Sequence, residues 1–198
     1  NDIPWPAQDG EIRIVYTGAV YQVHFDAFRN LIVAIERLGR PQVKLHLYTA
    51  QAETELKRAG VRGRIVHHGH IEPSAIAQVQ QRADILFLPL AFESPYPPQI
   101  VRTSAPGKLG EYLASGRPIL VHAPADSFVS SYFKEHECGV VVDQNESSVL
   151  AKAIAQIIND PDLRKSCAQN ARARAFADFR IEVAQSRFLN VFRSTDGG

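Results

Sequence analysis

The chain is predicted to be an α/β domain, a Rossmann-like doubly wound parallel sheet of about six strands flanked by helices. Three observations predict it. Strand-like runs alternate with amphipathic helical runs along nearly all of the 198 residues, the pattern left by crossover connections between parallel strands. The run Asp84-Ile-Leu-Phe-Leu-Pro-Leu90 is almost continuously apolar, as a strand covered on both faces must be. Glycine and proline punctuate the boundaries: Gly39 and Pro41 close one helix, Gly116 and Pro118 another.

The elements follow in order. Ile12 to Thr17 reads as the first strand, ending at Gly18. Phe28, Leu31, Ile32, Ile35 and Leu38 recur at helical spacing and form one apolar stripe. Val43, Leu45 and Leu47 alternate with Lys44, His46 and Tyr48, which suggests a strand nearer the sheet edge. A polar helix near Ala50 to Ala59, a strand from Arg64 to His67 and a helix from Pro73 to about Arg82 come next. After the apolar strand, residues 91 to 105 form a proline-rich loop too long for a simple connection, which favours a functional loop. A helix at 106 to 115 and a strand from Pro118 to His122 precede a helix near Ala125 to His136 and the strand Gly139 to Val142. Val149, Leu150, Ala153, Ile154, Ile157 and Ile158 mark a further amphipathic helix, and a basic helix runs from Pro161 to about Phe176. A last helix carries Val183, Phe188, Leu189 and Phe192.

Composition excludes several function classes. Hydrophobic residues make up 45% and charged residues 22%, which is globular rather than disordered composition. A formal net charge of +1 leaves no global field for nucleic acid, so any phosphate recognition is local. Cys138 and Cys167 lack metal-ligand or CxxC spacing and read as small buried hydrophobes, with a reduced, cytoplasmic setting as the default. No apolar run approaches transmembrane length. Residues 1–10 contain two prolines and a glycine and read as a linker from a preceding domain, so the chain is expected to be a piece of a larger protein. Residues 11–178 would form the α/β domain and 179–198 a C-terminal helix.

In open α/β sheets ligands bind beyond the carboxyl ends of the strands, which singles out the segments after Thr17, Tyr48, His67, Leu88 and His122. The most informative stretch is Thr103-Ser-Ala-Pro-Gly-Lys-Leu-Gly-Glu-Tyr-Leu-Ala-Ser-Gly-Arg-Pro-Ile-Leu120. Pro106 suits a first helical position and Gly116 a left-handed stop. The N–H groups of Gly107 and Lys108 would be free to bind an anion, and Glu111, one turn further, could accept hydrogen bonds from sugar hydroxyls. Thr103, Ser104 and Ala105 precede the helix, so their N–H groups and two hydroxyls are expected to converge on a diphosphate.

The joint presence of Pro106, Lys108, Glu111, Tyr112, Gly116 and Pro118 closely resembles the donor-binding helix of retaining, GT-B-fold glycosyltransferases of the family 4 type. The order of elements resembles the C-terminal, donor-binding domain of such an enzyme over nearly the whole chain. The resemblance implies a missing N-terminal acceptor domain, and it makes the segment from about Arg180 to Arg193 a candidate for crossing back to it. It implies that Glu111 binds the donor ribose. A second glutamate, separated from this one by seven intervening residues in many relatives, contacts the donor sugar; here that position is Thr103, which leaves the sugar contact unassigned. Glu93 is a possible substitute, although a solvated surface role is the commoner reading. Relatives carry basic residues in the loop after the first strand, and Gly18 to Phe25 contains none. Gly18 fits a close approach of backbone to phosphate, Arg102 or Lys108 could supply the missing cation, and Lys108 is favoured. His24, in the same loop, could face the site, although a surface histidine is the commoner reading. His67-His68-Gly69-His70 lacks the companions of a metal site. By resemblance His70 and Ile71 are base-pocket candidates.

The expected function is transfer of a sugar, with retention, from a UDP- or GDP-linked donor to a glycan or lipid acceptor, as in polysaccharide biosynthesis. Lys108 and Glu111 are the catalytic candidates, and no metal or other cofactor is expected. The protein is expected to be cytoplasmic, with the full-length form a candidate for peripheral association with the inner membrane face, and the isolated chain is expected to be inactive. A nucleotide-sugar 2-epimerase and a non-catalytic nucleotide-binding module are the alternatives. A dehydrogenase-type domain is disfavoured because no GxGxxG follows the first strand.

Overall fold

The computed structural model describes Trp5, Pro6, residues 10–180 and Gln185. The expected C-terminal helix therefore lies outside the described residues, apart from its first few positions, and so does most of the expected linker. Six parallel strands form one sheet in the order β3-β2-β1-β4-β5-β6, as the alternation of strand and helix predicts. The strands are β1 (Ile12–Thr17), β2 (Val43–Tyr48), β3 (Ile65–His67), β4 (Ile85–Pro89), β5 (Ile119–His122) and β6 (Val140–Val142). The helices are α1 (Phe25–Arg37), α2 (Glu53–Arg58), α3 (Pro73–Gln81), α4 (Pro98–Arg102), α5 (Leu109–Ala114), α6 (Phe128–Glu135), α7 (Ser147–Asn159) and α8 (Pro161–Asp178).

Strand periodicity divides the core between the two faces of the sheet. Ile12, Ile14 and Tyr16 of β1 and Ile85 and Phe87 of β4 join Phe28 and Leu31 of α1 and Ile154 of α7 on one face. Their neighbours Val15, Leu86 and Leu88 point the other way, onto Tyr112 and Leu113 of α5 and Ala171 of α8. All five residues of β4 are buried, which explains its unbroken apolar sequence. The sequence order reverses between β1 and β4, so the loops leaving their carboxyl ends diverge and open a crevice there.

Two local expectations change. The loop at 91–105 contains α4, a short helix started by Pro98. The helix expected from 106 begins at Leu109, because Pro106 to Lys108 form a turn closed by Leu109 N–H donating to the Pro106 carbonyl at 2.8 Å. Elsewhere the ends follow their caps. Ser127 accepts from Ser130 N–H to start α6, and Asp160 accepts from Leu163 N–H to start α8, which then runs to Asp178.

Candidate functional site

The crevice is built around the end of β1. Gly18 N–H donates to the Tyr48 carbonyl at 2.8 Å, and Gly18 has φ +120, a conformation that favours glycine. A methyl group there would lie 2.9 Å from Lys108 Nζ, so the bare backbone leaves room for the lysine to lie against it. The ammonium sits 3.6 Å above the Tyr16 ring, whose hydroxyl donates to the Ala19 carbonyl at 2.7 Å. Lys108 forms no ion pair among the described residues. Burial pushes its pKa down from 10.5 to about 7, with the Glu111 carboxylate pulling it back up. A cation held this way gains more from an incoming anion than a solvated one would.

Glu111, whose charge acts on Lys108, is exposed. Its Oε2 accepts a hydrogen bond from Gln80 Nε2 at 3.0 Å, and the same amide donates to Thr17 Oγ1 at 3.2 Å. Thr17 N–H in turn donates to the buried Tyr112 hydroxyl at 3.2 Å. Burial raises the Tyr112 pKa to about 12, so this phenol stays protonated. The end of β1, α3 and α5 are thus joined by one polar chain that orients the carboxylate. Glu111 and Gln80 border a hollow of about 270 Å³ whose other wall is Pro73, Ile76 and Ala77, an apolar plate beside an acceptor carboxylate.

Lys108 lines a larger cleft of about 480 Å³. Gly18, Ser104, Gly107 and Lys108 line its floor, and Tyr21, Tyr96 and Ile100 form exposed apolar walls. His24 also lines it and is only 8% exposed. It is therefore not a surface histidine. Its burial, followed by the nearby Lys108 charge, depresses its pKa from 6.5 to about 4. Asp26 fixes one wall: its Oδ2 accepts from the N–H groups of Phe92 and Glu93, both at 2.8 Å, tying the loop after β4 to the start of α1.

The fold brings together Gly18, Ser104, Gly107 and Lys108, with Glu111 adjacent. The expected convergence of Thr103 and Ser104 amides does not occur. Thr103 N–H and hydroxyl both donate to the Gln99 carbonyl, and Ser104 N–H donates to the Val101 carbonyl, so the end of α4 takes these donors. The amides of Ala105, Gly107 and Lys108 make no hydrogen bond among the described residues. Arg102 is turned away, its Nε 2.5 Å from Asp126 Oδ2. His70 and Ile71 line neither the cleft nor the hollow, and exposed Glu93 lines neither. His68 stacks on Tyr48 at 4.1 Å and shares a 3.0 Å hydrogen bond with His46, so part of the histidine run is packing. Among the described residues no three His, Cys, Asp or Glu side chains gather as metal ligands. Sequence reasoning missed Gln80, whose only signal is a polar residue on the inner stripe of its helix, and Asp26, marked only by its place in a first helical turn.

The model of the family described as Glycosyl transferases group 1 matches residues 8–174. The HepE protein of Anabaena, solved in complex with UDP and glucose, superimposes with a TM-score of 0.69 at 18% identity, over 96% of this chain and 49% of that one. Sucrose-phosphate synthase of Thermosynechococcus elongatus gives a TM-score of 0.67 at 20% identity, over 93% of this chain and 45% of that one. The C-terminal domain of LpcC of Francisella tularensis, a glycosyl transferase group 1 family protein, gives 0.61 at 18% identity, over 86% of this chain and 87% of that one. The chain thus spans about half the length of the first two. No curated protein sequence matches it.

Proposed function

The chain belongs to the glycosyl transferases group 1 family, and from that premise we propose that it is the donor-binding half of an enzyme that transfers a sugar from a nucleoside diphosphate sugar to a glycan or lipid acceptor. The observation that carries this reading is Lys108, a half-buried cation with no ion-pair partner among the described residues, which lines the larger cleft three residues before Glu111 of the smaller hollow. A nucleoside would lie against Pro73, Ile76 and Ala77, with Glu111 accepting from the ribose hydroxyls. The diphosphate would then reach Lys108 and the amides of Gly107 and Lys108, and the sugar would enter the cleft.

Bond breaking at the sugar leaves negative charge on the departing diphosphate. In this reading Lys108 and the two amides face that charge, and burial of the lysine strengthens its effect. Donor binding restores the proton on Lys108, since a nearby dianion raises its pKa. We assign the family 4 type and a retaining course from the motif around Glu111. The acceptor site belongs in this reading to a preceding N-terminal domain, in keeping with relatives about twice as long. The reaction uses no metal in this reading and takes place in the cytoplasm. Among the described residues no helix is long and apolar enough to cross a membrane.

Calorimetry tests the donor site. UDP or GDP is expected to bind the chain at low salt, and Glu111→Ala to weaken it about tenfold, the loss of a hydrogen bond to a charged acceptor. Failure of every nucleoside diphosphate to bind would sink the reading.

A further inference from the structure

Among the described residues that line the larger cleft, one buried side-chain polar atom has no hydrogen-bond partner. Tyr16 Oη is engaged with the Ala19 carbonyl, and Lys108 Nζ faces the leaving diphosphate in the reading above. Thr103, which stands where many relatives carry the sugar-contacting glutamate, and Glu93, the substitute considered for it, do not line the cleft. His24 Nδ1 is buried and has no hydrogen-bond partner among the described residues. Its ring is held edge-on to Tyr16 and Phe28 and tilted against Tyr21 at 4.6 Å, while its backbone N–H donates to the Tyr21 carbonyl at 2.8 Å. An imidazole nitrogen fixed in direction, shielded from water and left unpaired costs free energy unless a ligand completes it.

We propose that His24 Nδ1 hydrogen-bonds a hydroxyl of the donor's sugar and so positions and selects the glycosyl unit that is transferred. The proposal rests on the donor reading of the site. It fits the make-up of the cleft, in which apolar walls from Tyr21, Tyr96 and Ile100 enclose a single buried polar vacancy that sets orientation. The imidazole is neutral near pH 7, because burial disfavours its charged form, and a neutral ring nitrogen pairs with a hydroxyl without adding charge to a floor that already holds Lys108.

The test compares each nucleoside diphosphate with its sugar conjugates, using UDP, GDP and their glucose, galactose, mannose and N-acetylglucosamine derivatives at pH 7.5. One conjugate is expected to bind the chain about fivefold tighter than its parent, the worth of one net hydrogen bond. His24→Phe should abolish that increment while leaving the parent's affinity within about twofold. A second measurement needs no variant: the imidazole ¹⁵N resonance of His24 Nδ1 should shift with that conjugate and stay in place with the parent. An increment that survives His24→Phe overturns the proposal. So does an equal loss for parent and conjugate, which would assign His24 to the diphosphate, or the absence of any increment in the wild type. Failure of all the nucleotides to bind the wild type would instead remove the donor reading beneath it.

Discussion

Replacing Lys108 with methionine is expected to make the protein more stable and a weaker nucleotide binder. The unfolded chain carries this lysine with its ordinary pKa of 10.5, and burial lowers the folded value to about 7. At about 1.36 kcal/mol for each tenfold change in proton affinity, the buried ammonium costs at most about 5 kcal/mol below pH 7. The unfolded state binds more protons between pH 7 and 10.5, so wild-type stability rises with pH through that window and the penalty is gone above it. Methionine fills nearly the same volume without the charge but gives up the contact with the Tyr16 face, worth about 1–2 kcal/mol. A net gain of about 2–3 kcal/mol at pH 7 follows. The same change removes a charged donor worth about 1.5–3 kcal/mol to a phosphate, a loss of roughly 10- to 150-fold in UDP affinity. Urea unfolding at pH 7 and pH 9.5, with calorimetry at pH 7, measures both effects. The stability difference between variant and wild type should shrink at the higher pH. A variant no more stable than wild type at pH 7, or one that binds UDP equally well, would refute the reasoning.

Three other outcomes are expected. Asp26→Ala should cost about 2–4 kcal/mol, since it strands the Phe92 and Glu93 amides, and hydrogen exchange should speed up at those two positions first. Gly18→Ala should lose about 1–3 kcal/mol through backbone strain at φ +120 and also weaken UDP by displacing the Lys108 ammonium; an unchanged melting temperature would count against it. His46, 2.9 Å from Glu11 and 3.0 Å from His68, has its pKa lowered from 6.5 to about 4 by burial, which outweighs the pull of Glu11. Its neutral form therefore stabilises the fold above pH 6.5, and that contribution is lost as the pH falls toward 4. Urea midpoints between pH 6.5 and 4 should fall less steeply in His46→Gln than in wild type.

The sheet was legible because its two periods are written plainly in the chain. β4 showed itself by an apolar run and α1 by a stripe of five residues at helical spacing. Lys108 and Glu111 were legible for a local reason, a spacing of three on one short segment. The partners of Glu111 were not. Gln80 and Thr17 reach it only after the sheet order sets β1 beside β4, and that order is a property of the assembled sheet. Thr103 and Ser104 were misjudged because Pro97-Pro98 reads as loop, whereas Pro98 in fact starts α4, whose final turn takes their donors. His24 looked like a loop residue and is instead walled in by aromatic rings that come from β1 and α1.

The hollow beside Glu111 and the larger cleft draw their walls from separate stretches of chain. The one beside Glu111 is made by α3 and α5, and the larger cleft by the segments that follow β1 and β4. The segment after β4 is anchored at its root by Asp26, while Tyr96 and Ile100 further along are exposed. Residues 94–100, which precede the buried Val101, are therefore free to drift over generations without disturbing the carboxylate or its amide support. A lineage built on this scaffold could retain one nucleotide and diversify in the glycosides it makes, with most of the useful variation falling in a stretch of seven residues.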